Sequence, residues 1–95
     1  MISYLQGALA EKNLTRVVID VQGIGFEVFI PMSTYDRLPR EGDKTMLRTY
    51  MHIRDDAMQL YGFASEVERA LFVMLISSVS GIGPKIGLNM LSALP

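Results

Sequence analysis

The sequence contains no cysteine and no tryptophan, and only one histidine occurs among its 95 residues. Without cysteine, the chain can form neither a disulfide nor a thiolate metal site. Its formal net charge of -1 is also far from the basic excess of a strong, general nucleic-acid binder. Any contact with nucleic acid must therefore be local, weak for each subunit, or multiplied by assembly.

Long apolar runs and targeting signals are missing as well. No stretch is long enough to cross a bilayer, and residues 1–4 lack the basic segment that leads into the apolar run of a secretory signal. The hydrophobic fraction of 49% is nevertheless sufficient for a packed core. We therefore expect a cytoplasmic chain, without membrane association, that forms one domain or one small domain plus a fragment.

Apolar and polar residues alternate through the first two thirds of the chain, which is typical of β-strands. The predicted strands cover residues 4–10, 17–21, 26–30, 47–53 and 58–61. Gly7 is expected to break or bend the first strand, and residues 33–38 are expected to form a helical turn. Five strands with a helical turn before the fourth favour a closed barrel of the oligonucleotide/oligosaccharide-binding (OB) kind. A small open sheet capped by helices is the alternative.

From Ala64 onward the apolar period changes from two residues to about 3.6, which predicts helices. Ser65 and Glu68 have the spacing of a capping box at the start of the first helix. The apolar positions with helical spacing are Phe72, Leu75, Ile76 and Val79, followed by Ile86, Met90, Leu91 and Leu94. The fold class is thus mixed, β then α: an OB barrel over residues 1–63 and a helix-hairpin-helix over residues 64–95. We expect the two parts to pack together, because no flexible linker separates them.

The segment between the predicted helices contains two glycines, a proline and a lysine. Glycine permits a positive φ, Pro84 fits the first helical position, and a helix start presents unpaired amides at the positive end of its dipole. Such a corner can bind a backbone phosphate without reading the base sequence. The candidate residues are Ser80, Gly81, Ile82, Gly83 and Lys85. On spacing alone, a plain turn between two packed helices is an equally good interpretation.

No catalytic arrangement is recognisable in the sequence. His52 lies in a predicted strand among apolar neighbours, which favours a structural role over catalysis or metal binding. There is no Walker-type phosphate loop, and therefore no ATP site is expected. Asp55 and Asp56 lie between two predicted strands, where adjacent carboxylates are usually solvated turn residues; a paired-carboxylate metal site would lack a third ligand. We expect no enzymatic activity, no metal and no cofactor in this chain.

Five separated segments share an order and a spacing that are more specific than any single motif. They are Gly23–Val28, Ile53–Ala57, Leu60–Phe63, Glu68–Phe72 and Ser80–Lys85. Together they resemble the N-terminal part of the RuvA family of Holliday junction branch-migration proteins. The resemblance extends over nearly the whole chain.

This resemblance implies a non-catalytic subunit that binds four-way junction DNA in recombination and repair. Family members assemble as a homotetramer on the open junction, and the hairpins hold the duplex arms by their minor-groove backbones. Asp55 and Asp56 would form an acidic pin at the crossover, where their charge repels phosphates. The partner ATPase RuvB moves the DNA, so ATP and Mg act only through that partner. Several hairpins acting together would compensate for the weak net charge.

Some features depart from the family pattern. The second helix-hairpin-helix and the region that docks RuvB are expected to lie outside this sequence. Between Phe72 and Gly81 the chain has one residue more than the usual pattern, which we expect to be absorbed as a bulge or a looser turn. Tyr4 occupies a position where a basic residue is common. Gly87 occupies a position where alanine is common, and it is expected to weaken its helix by ~1 kcal/mol.

Two other classes of function stay open at this point. A barrel that binds single-stranded nucleic acid would need exposed aromatic side chains for base stacking, and Phe29, Tyr50 and Tyr61 are the candidates. An oligomerisation module without nucleic acid would need none of the phosphate-binding features. A helix-hairpin-helix glycosylase is disfavoured, because no catalytic lysine or aspartate follows at a suitable position.

Overall fold

The computed structural model describes residues 1–94, and in it five strands form a closed barrel in the order β1-β2-β3-β5-β4. The strands are β1 (Tyr4–Lys12), β2 (Arg16–Val21), β3 (Ile24–Phe29), β4 (Lys44–Arg54) and β5 (Ala57–Phe63). The helices are α1 (Met32–Tyr35), α2 (Glu66–Ser78) and α3 (Pro84–Ser92). This confirms the prediction of a five-stranded OB barrel followed by helices, and it excludes the open sheet.

Most strands are longer than the apolar alternation predicted. Strand β1 continues through Lys12, and β4 and β5 remain paired up to Arg54 and Ala57, on either side of a two-residue turn. The added positions Glu11, Lys12, Arg54 and Ala57 are exposed or half-buried, and strand pairing there depends on backbone hydrogen bonds rather than on burial of side chains. Apolar alternation therefore misses strand ends that do not contribute to the core.

The core of the barrel is built from the inward-facing side chains of all five strands. Its buried members are Leu5, Leu9, Val17, Ile19, Val28, Ile30, Leu47 and Leu60. All strand pairs are antiparallel except β3–β5, which is parallel and in register only at Val28–Leu60 and Phe29–Tyr61. This short pair closes the barrel but leaves the preceding residues of β3 and β5 apart.

Gly7 does not break β1, contrary to the prediction. The strand runs continuously from Tyr4 to Lys12, and its register shifts only between Leu9 and Glu11. A Cβ atom at Gly7 would lie 2.2 Å from the backbone oxygen of Asp20 on β2. Glycine is therefore required here because β2 passes very close to β1, and not because the chain bends.

A second apolar cluster lies outside the barrel, between its wall and the helices. Phe72 of α2 is fully buried, and its ring centroid lies 4.9 Å from that of Phe63 and 5.5 Å from that of Tyr61. Tyr50 of β4 meets the same ring edge-on at 5.8 Å. The helices thus pack directly against β4 and β5, as the absence of a linker indicated.

Glu68 ties α2 to α1 and to the segment that follows α1. Ser65 caps α2 by accepting a hydrogen bond from the Glu68 amide at 3.2 Å, which confirms the predicted helix start. The Glu68 carboxylate accepts hydrogen bonds from the hydroxyls of Ser33 and Ser65, and Arg37 lies 3.5 Å away. These contacts fix the direction in which α2 leaves the barrel.

The predicted apolar face of α3 was right for Leu91 but wrong for its other three positions. Ile86, Met90 and Leu94 are 50%, 40% and 53% exposed, whereas Gly87 and Leu91 are buried against α2 and the barrel wall. A Cβ atom at Gly87 would lie 3.1 Å from Cε1 of Phe72. The absence of a side chain at Gly87 lets α3 approach α2 closely on this face, and a glycine contributes nothing to an apolar pattern.

The role of Gly7 can be tested by substitution with alanine. Because the conflicting atom belongs to the backbone of β2, it cannot rotate away, and we expect Gly7→Ala to lower the free energy of unfolding by about 2 kcal/mol or more. Urea denaturation followed by circular dichroism measures this loss. Gly25→Ala is the matched control: its nearest neighbour is the Val18 Cγ1 methyl at 3.2 Å, and we expect a loss below about 1 kcal/mol. Equal losses in the two variants would contradict the close-approach explanation.

Candidate nucleic-acid interface

The turn between α2 and α3 is formed by a short stretch of non-helical backbone. Helix α2 is continuous from Glu66 to Ser78, so no bulge within it absorbs the additional residue. The chain is extended at Val79, takes a positive φ of 88° at Gly81, and is extended again at Gly83 before α3 begins at Pro84. The positive φ at Gly81 is the conformation for which this position needs glycine.

The start of α3 carries backbone amides that have no partner within the helix. No side chain caps this end, and the amide of Gly87 bonds to the oxygen of Gly83 at 2.9 Å. The amides of Lys85 and Ile86 precede that first bond, and Pro84 has no amide hydrogen to satisfy. The helix dipole adds partial positive charge at the same place. An anion placed here would meet donors that are already oriented toward it.

This corner is accessible from outside. Ser80, Gly81 and Lys85 are exposed, and Ile82 and Gly83 are half-buried. Within residues 1–94, the ion pairs join Arg16 to Glu27, Arg37 to Glu68 and Arg69 to Glu66, so Lys85 takes part in none of them. Four of the five predicted residues thus lie in the turn and Lys85 lies in the first turn of α3, with its ammonium available to a ligand.

Asp55 and Asp56 lie at the tip of the β4–β5 hairpin. The strands are paired up to Arg54–Ala57, and every residue from 53 to 59 is exposed, so the tip projects beyond the core of the barrel. No group of three or more potential metal ligands occurs in the described part of the chain, and neither aspartate belongs to any of its ion pairs. The tip therefore presents two adjacent carboxylates to the surroundings.

His52 has neighbours that suit a structural role. Its Nε2 accepts a hydrogen bond from Arg54 Nε at 3.2 Å, and its ring lies 6.2 Å from that of Tyr50 and 6.4 Å from that of Tyr61. These contacts fix the orientation of the His52 ring relative to its neighbours on the β4–β5 hairpin.

The aromatic side chains considered for base stacking are largely taken up by the protein itself. Tyr61 is only 6% exposed, and it packs against Phe72 and Phe29. Its hydroxyl donates to Gln59 Oε1 at 2.6 Å, and burial raises its pKa, which keeps it a neutral donor. Phe29 and Tyr50 are half-buried in the same cluster. These residues do not form an exposed platform for successive bases.

A cleft of about 680 Å³ separates α3 from the barrel, and no pattern in the sequence indicated it. Lys85 and Asn89 of α3 border it on one side, and Gln59 and Tyr61 of β5 border it on the other. The cleft lies beside α3, which packs against α2 and α1, and this long-range packing leaves no local pattern in the sequence. It places the lysine at the helix start and the base of the projecting hairpin around the same space.

No helix among residues 1–94 combines the length and the apolar character needed to cross a membrane.

Comparison with known proteins identifies relatives of the whole chain. The protein is 52% identical over 95 residues to the Holliday junction branch migration complex subunit RuvA of Syntrophotalea carbinolica, covering 100% of this chain and 47% of that protein. It is 48% identical over 94 residues to the RuvA subunit of a Polaromonas species, covering 99% of this chain and 49% of that protein. The chain is also 43% identical over 95 residues to the RuvA subunit of Prosthecochloris aestuarii, covering 100% of this chain and 47% of that protein.

The chain therefore spans about half the length of the curated relatives that it matches. The family described as "RuvA N terminal domain" matches residues 1–62, which comprise almost the entire barrel. Since this match covers well over half of the sequence, the chain belongs to the RuvA N-terminal domain family.

Proposed function

We propose that this chain is a DNA-binding subunit, without catalytic activity of its own, that recognises four-way (Holliday) junctions in recombination and DNA repair. The observation that carries the proposal is the start of α3, where the amides of Lys85 and Ile86 have no partner within the helix and both residues are exposed. The names of the relatives, which are subunits of a Holliday junction branch migration complex, support the same interpretation.

The α2–α3 turn acts as the phosphate-binding element in this proposal. The residues that bind the DNA backbone are Ser80, Gly81, Ile82, Gly83 and Lys85. The amides at the helix start donate to the phosphate oxygens, and the Lys85 ammonium adds a charge interaction from the side. Such contacts position the duplex without reading its sequence, which suits a protein that must accept junctions of any sequence.

The β4–β5 hairpin acts as the pin that discriminates a junction from a duplex. Asp55 and Asp56 project at its tip, where they repel phosphates that approach closely. At an open four-way junction the strands part at the crossover, and the tip can occupy that space. A continuous duplex offers no such opening, and the same carboxylates then oppose binding.

Assembly supplies the affinity that one subunit lacks. With a net charge of -1, a single chain makes few favourable contacts with DNA. We infer that residues 1–63 form the barrel that gathers near the junction centre and that residues 64–95 form the first helix-hairpin-helix. Four copies in a homotetramer would bind four arms at once, so that avidity multiplies a weak local site. The ATPase RuvB would drive branch migration in the cytoplasm, and ATP and Mg would act only through that partner.

Charge reversal at Lys85 tests the phosphate site. We expect Lys85→Glu to weaken junction binding about tenfold or more and to flatten its salt dependence, because one phosphate contact is lost in every subunit. Gel shifts with a four-way junction and a linear duplex, at about 50 and 200 mM salt, measure both effects.

Lys44→Glu is the matched control, since Lys44 is an exposed lysine on β4, remote in sequence from the turn. We expect its effect to stay within about threefold, as for a charge that only contributes to the general field. The proposed function fails if the unmodified protein binds junction and duplex equally well. If Lys85→Glu and Lys44→Glu weaken junction binding equally, Lys85 is not part of the phosphate-binding site.

Neutralising the pin tests its role in discrimination. We expect the pair Asp55→Asn and Asp56→Asn to bind linear duplex about threefold or more tightly, with a smaller change for the junction, because the repulsion of phosphates is removed while the shape is kept. Competition between labelled junction and unlabelled duplex gives the ratio directly. The pair Asp36→Asn and Asp43→Asn, at exposed positions away from the hairpin tip, makes the same change in net charge. An equal loss of preference in this control would show that net charge, and not the pin, sets the discrimination.

A further inference from the structure

The β4–β5 hairpin has one apolar face that continues past the end of the barrel. Met51 and Leu60 are opposite each other in the hairpin and belong to the barrel core. Two residues nearer the tip, Ile53 and Met58 are also directly opposite each other and share that face, since side chains alternate along a strand. They are 63% and 67% exposed. Two large apolar side chains therefore lie together at a projecting tip, with nothing from residues 1–94 covering them.

The wall of the closed barrel has a gap beside Ile53 and Met58, where strands β3 and β5 are not paired. Strands β3 and β5 are in register only at Val28–Leu60 and Phe29–Tyr61, and nearer the tip the two strands separate. The gap holds a cleft of about 300 Å³, whose apolar lining includes Ile2, Phe26, Met51 and Met58. Glu27 and Gln59 also line this cleft and give it a polar edge. The exposed pair thus borders a second, largely apolar surface, and together they offer a site for a flat, uncharged group.

The charges at the tip restrict what can occupy this site. Ile53 and Met58 flank Asp55 and Asp56, which take part in none of the ion pairs within residues 1–94. Arg54 is also exposed at this tip, but its Nε donates to His52, and the two carboxylates leave the tip with a net negative charge. A second copy of the tip would bring its own two carboxylates against these, and a phosphate is also disfavoured. The face of a nucleobase carries no charge and is apolar. Isoleucine and methionine are among the side chains that insert between bases and unstack them.

We propose that Ile53 and Met58 form an apolar wedge that contacts the faces of nucleobases exposed where the strands part. This inference rests on the proposed function, because it assumes that the hairpin tip reaches the crossover of a junction. It assigns two roles to one hairpin. The carboxylates keep the phosphate backbones apart, and the wedge covers the faces of bases that have lost a stacking neighbour.

Fluorescence of 2-aminopurine tests the wedge, because this base analogue brightens when it is unstacked. The probe is a four-way junction with 2-aminopurine at the crossover. We expect the unmodified protein to raise its emission, and the pair Ile53→Thr and Met58→Thr to reduce that increase at least about twofold. Threonine removes the apolar surface but keeps a β-branched side chain suited to a strand. Circular dichroism and thermal melting verify that the variant is folded.

The matched control is the pair Met46→Thr and Val67→Thr, at 40% and 78% exposed positions on β4 and α2 away from the tip. We expect it to leave the emission unchanged. If both pairs of substitutions give the same emission as the unmodified protein while junction preference persists, the wedge is refuted and the proposed function stands. If the unmodified protein shows no preference for the junction over linear duplex, both the wedge and the proposed function are refuted. Light scattering without DNA measures the oligomeric state of the protein. If the Ile53 and Met58 substitutions dissociate an oligomer, these two side chains contact another copy of the chain, and the wedge proposal is overturned.

Discussion

The burial of Phe72 between the barrel wall and α3 is the contact on which the arrangement of this protein depends. Its ring packs on Tyr61 and Phe63 on one side, and the absence of a side chain at Gly87 lets α3 close over the other. Truncation of a buried phenylalanine typically costs about 3–5 kcal/mol. Because this single ring touches both the barrel and the last helix, it sets where the α2–α3 turn lies relative to the β4–β5 hairpin.

Opposite charges act at two separate places on this scaffold. In the proposed function, the start of α3 would attract phosphates through its amides and Lys85, whereas the hairpin tip would repel them through Asp55 and Asp56. Neither feature appears in the net charge, because they nearly cancel in the sum. Under this proposal the protein would bind weakly to general DNA, and its preference would depend on whether the DNA has an opening for the carboxylates. The shape of the nucleic acid would then be recognised through the placement of a few charges.

The sequence predicted those parts of the structure that local chemistry determines. Ser65 capped α2 and Pro84 began α3 as expected, because capping and proline geometry depend on a few neighbouring residues. The prediction for Gly7 was wrong, since the reason for that glycine is an oxygen on another strand. The prediction for α3 was right for Leu91, which is buried, and wrong for Ile86, Met90 and Leu94, which form a regular stripe that remains exposed. The cleft beside Lys85 could not be predicted, because it depends on how α3 docks.

Nuclear magnetic resonance of the backbone amides during titration with a four-way junction tests the central claim most directly. The claim is that the start of α3 binds the phosphate backbone of the DNA. It predicts that the largest shifts occur at the amides of Gly81, Gly83 and Lys85, and that they diminish as salt is raised. Shifts confined to the barrel strands, with the amides of the α2–α3 turn unchanged at saturating junction, would contradict it.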